Sequence, residues 1–119
     1  MKRDMDLVRE ILILVSESSD SVDFDVFVNE RYDRNFVIYT IEIMKEAGLI
    51  NANVIKAYGG DYISATINSL TWAGNDFLDN IKNNKVWEEV KKTLAKTCKS
   101  ASINVVKKLA EKIVLDMIF

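Results

Sequence analysis

Three groups of residues in this chain have the types and spacing to do chemistry. Asp20, Asp23 and Asp25 are spaced like the opening of a calcium loop, where successive side-chain oxygens wrap a hard cation. Cys98 stands between Lys96 and Lys99, and nearby positive charge lowers a thiol's pKa. Arg34, Asn35 and Lys45, followed by Lys56 and Tyr58, could meet nucleic acid. Arg pairs with guanine edges, Asn with adenine edges, and Lys neutralises phosphates.

Two of these groups weaken on inspection. The aspartate run lacks the glycine at the sixth place and the closing glutamate of a calcium loop. Cys98 reads equally as a small residue at a helix junction, and as the sole cysteine it forms no internal disulfide. The chain has no histidine, which removes the commonest general base and the commonest metal ligand. Nucleophile–histidine pairs are impossible, and one cysteine plus carboxylates is a poor zinc set. No Gly-rich dinucleotide loop, phosphate-binding loop or HExxH helix is present. The expectation is a non-enzymatic protein without cofactor, metal or small-molecule substrate.

The 119 residues are 49% apolar and 29% charged, which suits one soluble globular domain. No apolar run approaches the ~18 residues of a membrane span. The apolar stretch "ILILV" is preceded by Asp4, Asp6, Arg9 and Glu10, unlike a secretory leader, so a cytoplasmic protein is expected. The net charge of −2 is unevenly spread. Residues 1–78 hold 7 basic and 13 acidic side chains, whereas residues 79–119 hold 9 and 5. The split fits two differently solvated surfaces, or a basic C-terminal surface that meets an anion.

The elements that must position these groups follow from periodicity. Met5, Val8, Ile11, Leu12 and Val15, widened by Leu7 and Leu14, recur at helical spacing, with Asp4 and Asp6 in the first turn. "VDFDVFV" alternates apolar and acidic residues and predicts a short strand. Asp33 is placed to cap a helix through "RNFVIYTIEIMKEA", and Gly48 to close it in the left-handed conformation. On a helical wheel Val37, Ile41 and Met44, with Phe36 and Ala47, form its core stripe; Arg34, Asn35, Ile38, Glu42, Lys45 and Glu46 lie opposite. "INANVIKA" and "YISATINSL" predict an antiparallel hairpin, with Gly59 and Gly60 supplying positive-φ turn positions. Thr71 is placed to cap the next helix, whose apolar side is Trp72, Phe77, Leu78 and Ile81. Gly74 in its first turn is unfavourable for a helix and points to close packing against the hairpin. Val86, Trp87, Val90 and Leu94 mark another helix, and both tryptophans are expected in the core.

The segments "YTIEIMKEAGLI" and "LTWAGNDFL", separated by one hairpin, resemble the end of a winged-helix recognition helix and the exit from the wing. Together with "MKRDMDLVREIL" and "LTWAGNDFLDNIKNNKVW" they resemble an uncharacterised family of phages, prophages and other mobile elements. The resemblance covers residues 1–92 and implies a fold and a setting, with no established activity. Members often carry His where this chain has Thr40, so any role of that His is not carried over. The implied fold is α+β and mostly helical: a winged-helix-like domain over 1–96 with a two-stranded wing, and a C-terminal helix over 99–119. Only about fifteen residues separate the first helix from the capped one, so the usual second helix is missing or reduced to a turn.

Ile103, Val106, Ala110, Ile113 and Met117 follow 3-4-3-4 spacing, an a/d seam of about two heptads. It could dock on the chain's own first helix or form a homodimer. The leading functional expectation is a DNA-binding regulator of a mobile element, touching DNA through Arg34, Asn35, Lys45, Lys56 and Tyr58. The competing reading of Arg34, Asn35 and Lys45 is a solvated helix face. The alternative function is a protein-binding inhibitor or modulator of a host factor, such as a CRISPR nuclease. It is motivated by the acidic N-terminal half and by the mixed charge of the helix face.

Overall fold

A computed structural model describes residues 3–97 and 103–118. The order is α1 (Met5–Glu17), β1 (Val22–Asp23), a 3-10 helix (Phe24–Phe27), α2 (Arg34–Glu46), β2 (Ile50–Lys56), β3 (Tyr62–Leu70), α3 (Trp72–Ile81), α4 (Asn84–Thr97) and α5 (Ile103–Ile118). The chain is α+β, with a three-stranded antiparallel sheet in the order β1-β3-β2. It forms two compact units, Met1–Asn75 and Asp76–Phe119, which divide inside α3.

In the first unit, α1 starts where the Asp4 carboxylate accepts a hydrogen bond from the Leu7 amide at 3.1 Å. Leu7, Val8, Ile11, Leu12 and Val15 are its buried stripe. The alternating "VDFDVFV" segment does not form the expected strand. Only Val22 and Asp23 pair with β3, and the chain then coils into the 3-10 helix. The residues that reach the core are Val22 and Phe27, five apart, whereas Val26 is exposed. The alternation therefore reported charge spacing and not a pleat. In α2 the Asp33 carboxylate accepts from the Phe36 amide at 2.8 Å. Val37, Ile38, Thr40, Ile41 and Met44 are its fully buried positions. Ile38 is thus core, not surface, and Ala47 is exposed, not core.

A Schellman closure ends α2. The Leu49 amide donates to the Met44 carbonyl and the Gly48 amide to the Lys45 carbonyl, both at 3.0 Å, with Gly48 at φ +77°. The hairpin follows with Ile50 opposite Leu70 and Val54 opposite Ala65. At its tip only Gly60 has positive φ; Gly59 does not. The hairpin's exit is tied back to its entry. The Thr71 amide donates to the Leu49 carbonyl at 3.0 Å, and the Thr71 hydroxyl donates to the Gly48 carbonyl at 2.5 Å. The same hydroxyl accepts from the Gly74 amide at 3.0 Å, capping α3. A Cβ on Gly74 would collide with the Leu49 carbonyl oxygen and lie 3.0 Å from its carbon. Gly74 is there because backbone must touch backbone.

Gly74, Phe77, Leu78 and Ile81 form the buried stripe of α3 at helical spacing. Trp72 is 85% exposed, against the expectation of a core residue. At about 100° per residue it lies opposite Ile81, so it could not share that stripe. In the second unit the Asn83 side chain accepts from the Lys85 and Val86 amides and caps α4. Val86, Trp87 and Val90 are buried. Helices α4 and α5 pack against each other.

These contacts order the effects of substitution, measurable by thermal or denaturant melts. Gly74→Ala is expected to destabilise by ~1–3 kcal/mol, because a methyl must displace backbone, where a tolerated helix glycine would gain up to ~1 kcal/mol. Thr71→Ala is expected to cost ~1–2 kcal/mol as a lost cap, and Phe77→Ala ~3–5 kcal/mol. Trp72→Ala is expected to stay within ~0.5 kcal/mol of the parent.

Candidate functional site

The residues expected to touch DNA lie on α2 and the β2–β3 hairpin, and two of the three cations are engaged inside the chain. Arg34 is the first residue of α2. Its guanidinium donates to the Tyr62 carbonyl at 2.8 Å and to the Ile63 carbonyl, and lies 5.4 Å from the centre of the Phe24 ring. The location has a cause. The β2–β3 register shifts between Ile55 and Lys56, leaving Ile63 without a direct partner, and β1 pairs only with Thr66 and Ile67 of β3. Arg34 thus bonds the carbonyl of Ile63, which the shift leaves unpaired, together with that of its neighbour Tyr62.

Lys56 is bound to the same helix. Its ammonium lies 2.7 Å from a Glu42 carboxylate oxygen and 5.2 Å from the Tyr62 ring centre. The Tyr62 hydroxyl donates to the other Glu42 oxygen at 3.2 Å. The hydrogen bond to Glu42 raises the Lys56 pKa, and burial followed by the Glu42 charge raises that of Tyr62. Glu42 therefore receives both groups. Asn35, Lys45 and Tyr58 are exposed. The expected surface is therefore not assembled as a row of available cations: the described contacts leave Asn35, Lys45, Glu46 and Tyr58 facing solvent.

Sequence reasoning missed an aromatic row. Tyr32 stacks on Phe36 with ring centres 5.9 Å apart, and Phe36 meets Tyr39 at 6.3 Å. The i, i+3 spacing of Phe36 and Tyr39 on α2 was the available signal; Tyr32 precedes the Asp33 cap and joins them through the turn. Arg31 covers the Tyr32 ring at 5.1 Å and faces Asp4 and Asp6, each at 3.8 Å. Thr40 is fully buried, and its hydroxyl donates to the Phe36 carbonyl at 2.9 Å.

In the C-terminal seam Val106 and Ala110 are fully buried within one chain, and Ile113 is half-buried. The side chains of Ile103 and Met117, and Cys98 altogether, lie outside the described residues. Among the described residues no three of Cys, Asp and Glu come together as a metal-ligand group. No described helix is long and apolar enough to cross a membrane.

Burial, reinforced by the nearby Asp4 carboxylate and opposed by Arg31, pushes the Tyr32 phenol up from 10.0 to about 12. A raised folded-state pKa favours the neutral phenol in the fold. Its contribution to stability is therefore complete below pH ~10 and is lost as the pH climbs toward ~12. Absorbance titration at 295 nm is expected to show a late ionisation step near pH 12. Tyr32→Phe is expected to remove that late step and flatten the fall in melting temperature over the same interval.

Comparison with known proteins adds kinship without activity. Residues 2–102 match the family described as "Hypothetical protein (DUF2513)". An "Uncharacterized protein" of Haemophilus influenzae is 33% identical over 121 residues, covering 99% of each chain. No solved structure matches. With the family match spanning most of its length, the chain belongs to the DUF2513 family.

Proposed function

We propose that this protein is a non-enzymatic docking module that binds another protein through the outward face of α2, on a winged-helix-like scaffold. The scaffold is supported by the order helix, strand, helix, two-stranded hairpin, by the sheet order β1-β3-β2, and by the 3-10 helix standing where a second helix would be. The observation that carries the choice of partner is Glu42. A helix entering the major groove gains affinity from cations facing phosphates. Here the wing lysine is neutralised by Glu42, Arg34 is spent on the Tyr62 and Ile63 carbonyls, and Glu46 is exposed on the same helix. The face that remains combines half-buried Phe36 and Tyr39 with one exposed cation, Lys45, and one exposed carboxylate, Glu46, a mixed composition suited to a protein surface more than to phosphates.

The resemblance of residues 1–92 to proteins of phages and prophages supports a mobile-element setting in the bacterial cytoplasm. A host factor, including a component of antiviral defence, is one partner of that chemistry. The second reading, a DNA-binding regulator, rests on the scaffold itself and on exposed Asn35, Lys45 and Tyr58.

Two measurements on the intact chain separate the readings. A photo-crosslinking amino acid at Tyr39 is expected to form a protein adduct that the same group at Asn53, on the polar sheet face, does not. Fluorescence anisotropy with DNA from the protein's own locus is expected to stay flat. Submicromolar DNA binding that weakens steeply with salt and is lost in Lys45→Glu would overturn the docking reading.

A further inference from the structure

Strand β1 stops at Asp23, although the chain beyond it keeps the polarity pattern of a strand. Val22, Phe24, Val26 and Val28 alternate with Asp23, Asp25 and Phe27, and no Gly or Pro interrupts them. The 3-10 helix makes no use of that alternation: Phe27 is 2% exposed, whereas Val26 is 56% exposed. The pairing of β1 with β3 sets where a longer strand would lie. Val22 is opposite Ile67 and Asp23 opposite Thr66. The same antiparallel register puts Phe24 opposite Ala65, Asp25 opposite Ser64, Val26 opposite Ile63 and Phe27 opposite Tyr62. Val22 and Ile67 are buried, while the Thr66 hydroxyl meets the Asp23 carboxylate on the exposed side. A period of two then places Phe24 and Val26 on the buried side and turns Asp25 and Phe27 outward. Val26 would gain Ile63, itself 46% exposed, as its cross-strand partner.

Arg34 occupies the edge that this longer strand needs. Its guanidinium donates to the Tyr62 carbonyl at 2.8 Å and to the Ile63 carbonyl, and it lies 5.4 Å from the centre of the Phe24 ring. Tyr62 and Ile63 are the residues that Phe27 and Val26 would face. The other flank of β3 is already taken by β2, where Lys56 pairs with Tyr62. The guanidinium and a longer β1 therefore compete for one row of acceptors. The 3-10 form has its own supports: the helix packs on α2, and the Val28 amide donates to the Asp25 carbonyl at 3.2 Å. The two packings bury different residues of one segment, Phe27 in the first and Phe24 with Val26 in the second.

We propose that Arg34 is a latch on a two-state segment. With its guanidinium on the Tyr62 and Ile63 carbonyls, residues 24–27 are held as the 3-10 helix; when it leaves, they join the sheet as an extension of β1. The inference stands apart from what α2 binds, but it alters what α2 presents. Release frees a cation at the first residue of the helix, beside exposed Asn35.

The test is residue-resolved NMR of the intact chain, reading carbon chemical shifts and cross-strand contacts. The parent is expected to show helical shifts at residues 24–27. Arg34→Ala is expected to move all four to extended shifts and to bring the Val26 and Ile63 side chains within contact range, with the shifts of α1 and β2 unchanged. Adding Val26→Asp to Arg34→Ala sets a charge on the buried side of the strand form only, and is expected to return the segment to helical shifts. Arg34→Lys keeps the charge but loses the two-pronged grip, and is expected to show exchange broadening confined to residues 24–27 and 62–65. A folded Arg34→Ala chain with helical or random-coil shifts at 24–27 overturns the proposal, as do extended shifts that persist in the double variant. If Arg34→Ala does not fold, Arg34→Lys decides, and sharp helical signals there overturn it.

Discussion

The first unit is organised around one close approach: the start of α3 laid directly on the carbonyls of Gly48 and Leu49. Three hydrogen bonds and a missing side chain make it. Thr71 closes on both carbonyls, its hydroxyl caps the new helix, and Gly74 has no Cβ to hold the backbones apart. Those carbonyls belong to the segment that closes α2 through a left-handed Gly48. The entry and the exit of the hairpin are thus the same place. The hairpin's base is held by backbone geometry, where Ile50 pairs with Leu70.

With the base held, side chains secure the far end. Arg34 bonds two β3 carbonyls, and Glu42 collects Lys56 and Tyr62. The hairpin is therefore fastened to α2 at both ends of its length. Arg34 and Lys56 are thereby engaged within the chain, while Asn35, Lys45 and Glu46 of α2 stay exposed.

Much of this was legible beforehand, where a local rule had a single structural solution. Asp33 before a helical stripe, Gly48 after it, and Thr71 three residues before Gly74 each satisfy a terminus in one way, and each stands where expected. Periodicity was weaker wherever two periods fitted. "VDFDVFV" alternates in polarity, yet Val22 and Phe27 reach the core through a 3-10 turn. Trp72 was grouped with Phe77 by hydrophobicity although the helical angle sets them apart. Ile38 was placed outside because the wheel drew too narrow a stripe for a helix with the sheet on one side and the 3-10 helix also against it. The candidate site was the least legible. Side-chain type announces what Arg34 and Lys56 can bind, but their occupancy by Ile63 and Glu42 depends on contacts 14 and 29 residues away in sequence.

The claim that the Thr71–Gly74 junction holds the first unit together is tested most directly by native-state hydrogen exchange, resolved by residue. The amides of Leu49, Thr71 and Gly74 are each bonded within that junction. The account predicts that all three exchange only through global unfolding, with the same denaturant dependence as Ile41 and Met44 in the middle of α2. Exchange of Thr71 and Gly74 at the rate of the exposed wing-tip residues Tyr58 and Gly59 would contradict it.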